Sequence, residues 1–125
     1  MFVILEDKTI CLTRGDIAYI NVSANLQDGQ PYTFAVGDVV RFRVFEKKDY
    51  SEVLIKKDVK VEAETQTVML SLKKEDTKIG DITYKPTEYC YEIELNPDSD
   101  PQTIVGYDED GEKVFRLYPE GSDTV

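Results

Sequence analysis

The sequence predicts an all-β protein, an antiparallel β-sandwich of seven to ten short strands. Three observations predict it. Apolar and polar residues alternate with a period of two in residues 9–13, 40–44, 68–72 and 89–95, which places apolar side chains on one face of a strand. Gly, Pro, Asn and Asp cluster between these segments, and no window of 11 or more residues carries a helical apolar stripe. Many short alternating strands in one chain favour two packed sheets.

Turn signals and alternating segments together give ten predicted strands. Turns are predicted at 14–16, 27–31, 37–38, 48–51, 80–81, 96–101 and 108–111, where Gly, Pro, Asn, Asp or Ser cluster. In chain order, the predicted strands cover residues 2–5, 9–13, 17–26, 38–47, 52–57, 59–64, 67–73, 87–95, 102–107 and 112–118. The charged run at 73–78 is too short for more than one helical turn.

The length of 125 residues fits one domain with one core. We predict a single domain over residues 1–119 and a flexible tail over 120–125. The inward side chains of the alternating strands should meet in a layer about 10 Å thick between the sheets. The predicted inward set is Ile20, Val22, Val40, Phe42, Val44, Leu70, Tyr89, Tyr91, Ile93 and Leu95.

Two of the predicted strands carry opposite charges on their outward faces. Arg41 and Arg43 alternate with apolar residues in one strand, and Glu92 and Glu94 do so in the other. We predict that strands 38–47 and 87–95 pair with their charged faces together, each ion pair contributing about 0.2–1 kcal/mol.

Composition excludes several classes of function. The chain has no His, which removes Ser-His-Asp and Cys-His catalysis and zinc sites with imidazole ligands. None of the 25 carboxylates stands out as a glycosidase pair. We therefore predict no enzyme activity, no catalytic or metal-binding residue and no cofactor, and we expect no small-molecule ligand.

The net charge of −10 is unevenly distributed. Residues 86–125 hold 2 basic and 11 acidic residues, whereas residues 41–60 have an excess of three positive charges. The overall acidity argues against nucleic-acid binding. The basic segment is interpreted as a solvated sheet face, with an anion site as the alternative. The polarity suggests head-to-tail docking between copies or partners.

Nothing in the sequence suggests a membrane protein. The longest apolar stretches are a few residues, whereas a membrane-spanning helix needs roughly 20. The first seven residues turn acidic before an apolar signal core forms. Synthesis in the cytoplasm without membrane insertion is the expectation.

Two cysteines and two acidic segments are candidate sites. Cys11 and Cys90 fall on outward positions of their strands, so we predict two free thiols. The segment 96–100 has oxygen side chains at alternate positions, as a calcium loop does, but it lacks the turn Gly and the final Glu. This segment and the cluster 108–110 are therefore interpreted as hairpin turns.

Arg14-Gly15-Asp16 matches the tripeptide that integrins bind. A three-residue match arises often by chance, and Gly between Arg and Asp suits a turn between two strands. The turn is the preferred interpretation.

The segment from Asp76 to Gly80, followed by Tyr89, resembles the tyrosine corner of immunoglobulin-like domains. There, a Tyr early in the sixth strand directs its hydroxyl back to the backbone upstream. An ordinary inward Tyr explains the same spacing equally well. With the corner, the predicted fold is an immunoglobulin-like antiparallel β-sandwich.

The order of motifs along nearly the whole chain resembles one protein family. The motifs are 12–16, 28–32, 37–44, 68–72 with 75–78, 89–95 and 102–104. Together they resemble the N-terminal immunoglobulin-like domain of phage baseplate upper proteins, found in phages and prophages of Gram-positive bacteria. The resemblance implies a virion tail protein that attaches a receptor-binding module, with other tail or baseplate proteins or copies of itself as partners.

A carbohydrate-binding β-sandwich module is the alternative function. Sandwiches often bind sugars, and the chain has eight Tyr, although it has no Trp. Tyr89 and Tyr91 fall on the inward face, and the others are scattered, so an aromatic sugar platform has little support.

Overall fold

The computed structural model describes residues 2–4, 7–47, 49–80 and 84–120. These residues contain nine strands and no helix. The strands are β1 (Phe2–Ile4), β2 (Ile10–Thr13), β3 (Ala18–Val22), β4 (Val39–Glu46), β5 (Asp49–Lys60), β6 (Val68–Leu72), β7 (Thr87–Leu95), β8 (Gln102–Val105) and β9 (Lys113–Tyr118). The predicted all-β sandwich is confirmed.

The strands form one large and one small sheet. The large sheet has the order β1-β2-β9-β7-β4-β5, with β8 beside the end of β7, and the small sheet pairs β3 with β6. Taking β3, β4, β5, β6, β7 and β9 as strands B, C, C′, E, F and G, this is the partition of an immunoglobulin-like sandwich. The layer opposite the large sheet has only B and E among the described residues.

One pairing differs from the predicted antiparallel arrangement. β2 runs parallel to β9, with Ile10 opposite Phe115 and Thr13 opposite Tyr118, so the large sheet is mixed. β2 and β9 are about a hundred residues apart in the chain. The alternation of apolar and polar residues in a strand does not show whether such a distant partner runs parallel or antiparallel to it.

Several predicted strand boundaries are wrong. In place of the strands predicted at 52–57 and 59–64 there is the single strand β5, because Asp58 lies on its outward face opposite Arg41 and does not interrupt it. β5 begins at Asp49, inside the turn predicted at 48–51, and ends at Lys60, so residues 61–64 are not part of a strand. The strand predicted at 17–26 ends at Val22. Beyond it, the Leu26 N–H donates to Gln30 O and the Tyr32 N–H to Ala24 O, which closes a local loop in place of a longer ladder.

The core lies between the two sheets. All ten residues predicted to face inward belong to one buried cluster. Phe42 lies at its centre, with ring centroids 5.8 Å from Tyr91 and 6.2 Å from Phe115. Phe34 is fully buried although it lies in the loop between β3 and β4, where its backbone pairs with Thr65. A loop residue of this kind gives no periodic signal in the sequence.

Some predictions fall on residues that the structure does not describe. The tail predicted at 120–125 lies outside the described residues except for Glu120, whose Oε2 is 3.9 Å from Lys78 Nζ. Leu5, Lys48 and Asp81, which belong to a predicted strand and two predicted turns, also lie outside them.

Candidate interaction surface

The outward face of the large sheet holds the predicted charge pairs. β4 and β7 are antiparallel neighbours, with Arg43 opposite Glu92 and Arg41 opposite Glu94. The Arg43 guanidinium contacts Glu94 and lies 3.6 Å from Glu92. The predicted pairing of these strands with their charged faces together is confirmed.

Arg41 has different ion-pair partners from those predicted. It lies opposite Glu94 in the ladder, but its guanidinium binds Asp58 of β5 at 2.8 Å and Asp98 of the β7–β8 turn at 2.9 Å. Hydrogen bonds from Asp58 and then Asp98 raise the pKa of Arg41. Glu94 is paired with Arg43 instead. Arg41 therefore links β4 to β5 on one side and to the β7–β8 turn on the other.

Further along the same face, Glu88 of β7 accepts from two cations. Arg116 Nε donates to it at 2.9 Å and Lys47 Nζ at 3.1 Å. Arg116 and then Lys47 hold the pKa of Glu88 below its ordinary value. Four acidic residues of the last 40, Glu88, Glu92, Glu94 and Asp98, are thus paired with Arg41, Arg43 and Lys47 inside one domain.

These ion pairs predict the acid limit of stability. Arg41 lowers the pKa of Asp58, and the pKa of Asp76 also lies below its ordinary value of 3.8. With Glu88, these groups contribute stability that is full above their unfolded pKa values and is lost as the pH falls through their folded ones. We expect the free energy of unfolding to fall steeply below about pH 4.

Glu92 should act in the opposite sense, because burial raises its pKa despite the nearby Arg43. Protonation of Glu92 is therefore expected to offset the loss in mildly acidic buffer. Urea unfolding between pH 7 and pH 2.5 measures both effects, with Glu88→Gln as the matched variant for the loss and Glu92→Gln for the offset. A wild-type profile that stays level down to pH 3, or one unaltered in Glu88→Gln, would contradict the first effect, and a profile unaltered in Glu92→Gln would contradict the second.

Tyr89, the candidate for a tyrosine corner, lies near the start of β7. Its side chain is buried, and its hydroxyl lies against the backbone of Gly80, upstream in the chain. Gly80 has a φ of +71°, and a Cβ built on it would overlap Tyr89 Oη. A side chain at position 80 is therefore opposed both by backbone conformation and by the tyrosine.

Asp76, the other candidate in this segment, has a structural role. Its Oδ2 lies 2.8 Å from Lys57 Nζ and accepts a hydrogen bond from the Lys73 N–H at 2.8 Å. Burial raises the pKa of Asp76, but the Lys57 ammonium and the Lys73 N–H outweigh it and leave the pKa lowered. Asp76 thus ties the turn after β6 to β5.

The Arg14-Gly15-Asp16 turn is held by a residue that the sequence did not single out. The buried Thr77 Oγ1 accepts from the Gly15 N–H at 3.0 Å and lies 2.9 Å from Asp16 O. Arg14 Nε lies 3.5 Å from Ile79 O. The tripeptide is half-buried and joined to the segment before Gly80, which supports its interpretation as a turn.

The two acidic segments bind groups of the protein itself. Asn96, at a φ of +50°, accepts from the Val39 N–H at 2.9 Å. Asp108 accepts from Asp110 N at 2.9 Å and from Lys113 Nζ at 2.7 Å, and Lys113 is only 6% exposed. No group of three or more potential metal ligands occurs in the part of the chain that the structure describes.

Both cysteines are free thiols, buried outside the core cluster on the outward side of the large sheet. Cys90 Sγ lies 4.0 Å from Lys47 O, and Cys11 Sγ lies 3.9 Å from Arg116 Nη1. Burial, followed by Glu112, raises the pKa of Cys90 to about 11. This thiol is protonated at neutral pH and is a poor nucleophile.

A polar groove of about 880 Å³ lies at the end of the sandwich where β3 and β7 terminate. The loop after β3 lines one side with Ser23, Asn25 and Gln27, and β8 lines the other with Gln102 and Thr103. Tyr32 also reaches the groove, but its hydroxyl donates to Asp38 and its ring meets Phe34 edge-on. It does not offer a flat aromatic face for a sugar.

The small sheet has no charged residue. Its ten residues lie within two charge-free runs, 17–27 and 65–72, in a chain that is 32% charged. We call β3 and β6 the uncharged sheet. Its outward face presents Tyr19, 57% exposed, and Met69, 53% exposed, with Asn21 and Ser71 beside them. The two runs are visible in the sequence, but only the pairing of β3 with β6 brings them together.

No family model, curated protein or solved structure matches the chain. In the described residues, no helix is long and apolar enough to cross a membrane.

Proposed function

We propose that this protein is a non-enzymatic assembly domain and that its docking surface is the uncharged sheet. The observation that carries the proposal is the outward face of β3 and β6, where Tyr19 and Met69 are exposed and no charge is present. Interface centres are depleted in charge and enriched in Tyr and Met. On the outward face of the large sheet, by contrast, Arg41, Arg43 and Arg116 are already held in ion pairs within the chain.

The proposed setting is a phage or prophage tail or baseplate, where the domain mediates assembly or attaches a receptor-binding module. The motif order that resembles baseplate upper proteins supports this setting. Partners would be other tail proteins or copies of the chain. In this proposal the final location of the protein is the virion.

Incorporation into particles tests the proposal. In the strain that encodes the chain, we expect the protein in purified tail particles, measured by mass spectrometry, with tail genes beside its own gene. Tyr19→Glu/Met69→Glu should reduce incorporation more than tenfold, because burying unpaired carboxylates costs several kcal/mol and about 1.4 kcal/mol is tenfold.

The matched control is Tyr84→Glu/Tyr107→Glu, which adds the same charge at tyrosines that are exposed outside the uncharged sheet. It should be incorporated as the wild type is, and both double variants should keep the wild-type melting temperature. Absence of the chain from particles would overturn the tail setting. Equal loss in both double variants would overturn the docking surface.

A carbohydrate-binding module is the second candidate, favoured by the groove between the loop after β3 and the β7–β8 turn. Amide and hydroxyl side chains there suit sugar hydroxyls. Glycan binding by the isolated protein that is lost in Asn25→Ala/Gln102→Ala and retained in Tyr19→Glu/Met69→Glu would establish this function in place of the first.

A further inference from the structure

The free edge of β3 is unusual for an exposed strand. β3 pairs with β6 on one side, and no other described strand pairs with its opposite edge. An open strand edge is a template for another strand, and proteins commonly protect such edges with charge, Pro or a bulge. β3 has none of these three features in its sequence, Ala18-Tyr19-Ile20-Asn21-Val22.

The β5 edge of the large sheet, in contrast to β3, carries charged residues. β5 is also an edge strand, and its 12 residues include Lys56, Lys57 and Lys60 as well as acidic residues. A register shift between Val44 and Glu46 of β4 disturbs its pairing. β5 is thus protected by charge against a further strand, whereas both strands of the uncharged sheet, β3 and β6, keep an open edge among the described strands.

We infer that the free edge of β3 pairs antiparallel with β3 of a second copy, joining two uncharged sheets into one four-stranded sheet. The inference rests on the proposed assembly function and names the partner. Charge restricts where a second copy can bind: two chains of net charge −10 repel over most of their surfaces, and the charge-free run 17–27 is where they approach at least cost.

The strand is also suited to pairing with itself. An antiparallel pair centred on Ile20 lies on a twofold axis, as a symmetric dimer requires. It places Tyr19 of one copy opposite Asn21 of the other, with both side chains on the outward face. Ala18, Ile20 and Val22 are buried toward the core and stay there. A pair of five-residue strands is a small contact, so the dimer should be weak in dilute solution.

Disulfide trapping detects such a contact and reports its register. Opposed residues in an antiparallel pair have Cα atoms about 4.5–5.5 Å apart, within disulfide range. We therefore expect a mixture of Tyr19→Cys and Asn21→Cys proteins to form a cross-linked heterodimer under mild oxidation. The native Cys11 and Cys90 are buried, so the wild type serves as the blank.

The matched control is a mixture of Tyr19→Cys with Met69→Cys, because Met69 is as exposed as Tyr19 and lies opposite Asn21 within one copy. Its Cα would lie two strand spacings, roughly 10 Å, from residue 19 of the partner, beyond disulfide range. We expect the first mixture to cross-link about tenfold faster than the control and than either single variant.

Equal rates in the two mixtures, no cross-linking, or faster cross-linking of Tyr19→Cys alone would each overturn the β3 pairing. None of these results bears on incorporation of the chain into tail particles, which tests the proposed function separately. Conversely, if the disulfide-trapped dimer forms but the chain is absent from tail particles, the β3 pairing is supported and the tail setting is refuted.

Discussion

Gly80→Ala is expected to lower the free energy of unfolding by about 3 kcal/mol, from left-handed backbone strain of about 1–2 kcal/mol and overpacking of about 1–3 kcal/mol. Gly80 has a φ of +71°, and a Cβ built there overlaps Tyr89 Oη and lies 3.4 Å from its Cζ. Urea unfolding of the wild type and the variant measures the difference.

Gly29→Ala is the matched control for the backbone contribution. Gly29 has a φ of +87°, but no atom lies within 4 Å of the Cβ position. Gly29→Ala should therefore lower the free energy of unfolding by about 1 kcal/mol, from backbone strain alone. In the Gly80→Ala/Tyr89→Phe double variant, removing the hydroxyl should recover part of the loss, so the two substitutions are not additive. Equal costs for the two glycines, or full additivity, would contradict the contact between Tyr89 and Gly80.

Phe42→Ala is expected to lower the free energy of unfolding by about 3–5 kcal/mol, the usual cost of removing a buried phenyl ring. Phe42 is 0% exposed and lies between the sheets, against Tyr91 and Phe115. The cavity left behind would be surrounded by core side chains that cannot close it fully.

Phe45 of the same strand provides the matched comparison. It is only 2% exposed, but it lies on the outward face, stacked 5.1 Å from Tyr50 and below Arg43. Tyr50 is itself 40% exposed, so water reaches the site when the ring is removed. Phe45→Ala should cost about half as much as Phe42→Ala or less. Equal losses would show that the outward cluster is as important for stability as the core.

The contrast between these two phenylalanines shows how far alternation predicts the fold. Phe42 is assigned to the core from the period of two around Val40 and Val44, and the structure confirms it. Phe45 follows the register shift in β4, and the burial of its outward position depends on Tyr50 from a neighbouring strand. Alternation also misses Phe34, because this core residue lies in a loop, where its backbone pairs with Thr65 of a distant segment.

The candidate surface was only partly predictable. The charges of Arg43, Glu92 and Glu94 indicated which strands pair, because opposite charges on two outward faces attract when the strands are neighbours. The partners of Arg41 were not predictable, since Asp98 reaches it from a turn whose path depends on the whole sheet. The charge-free runs were present in the sequence, but nothing local indicated that they form one sheet.

The sequence by itself determined the position of most strands, their inward faces and the pairing of β4 with β7. These features depend on neighbours one or two positions apart, or on charge patterns repeated along two strands. Only the tertiary structure decided that β2 lies parallel to β9, that Thr77 holds the turn at Gly15, and that β3 keeps a free, uncharged edge. Each of these features depends on which distant segments meet when the core forms. The side-chain period of two within a strand is the same whichever strand lies beside it, so the period does not identify the partner.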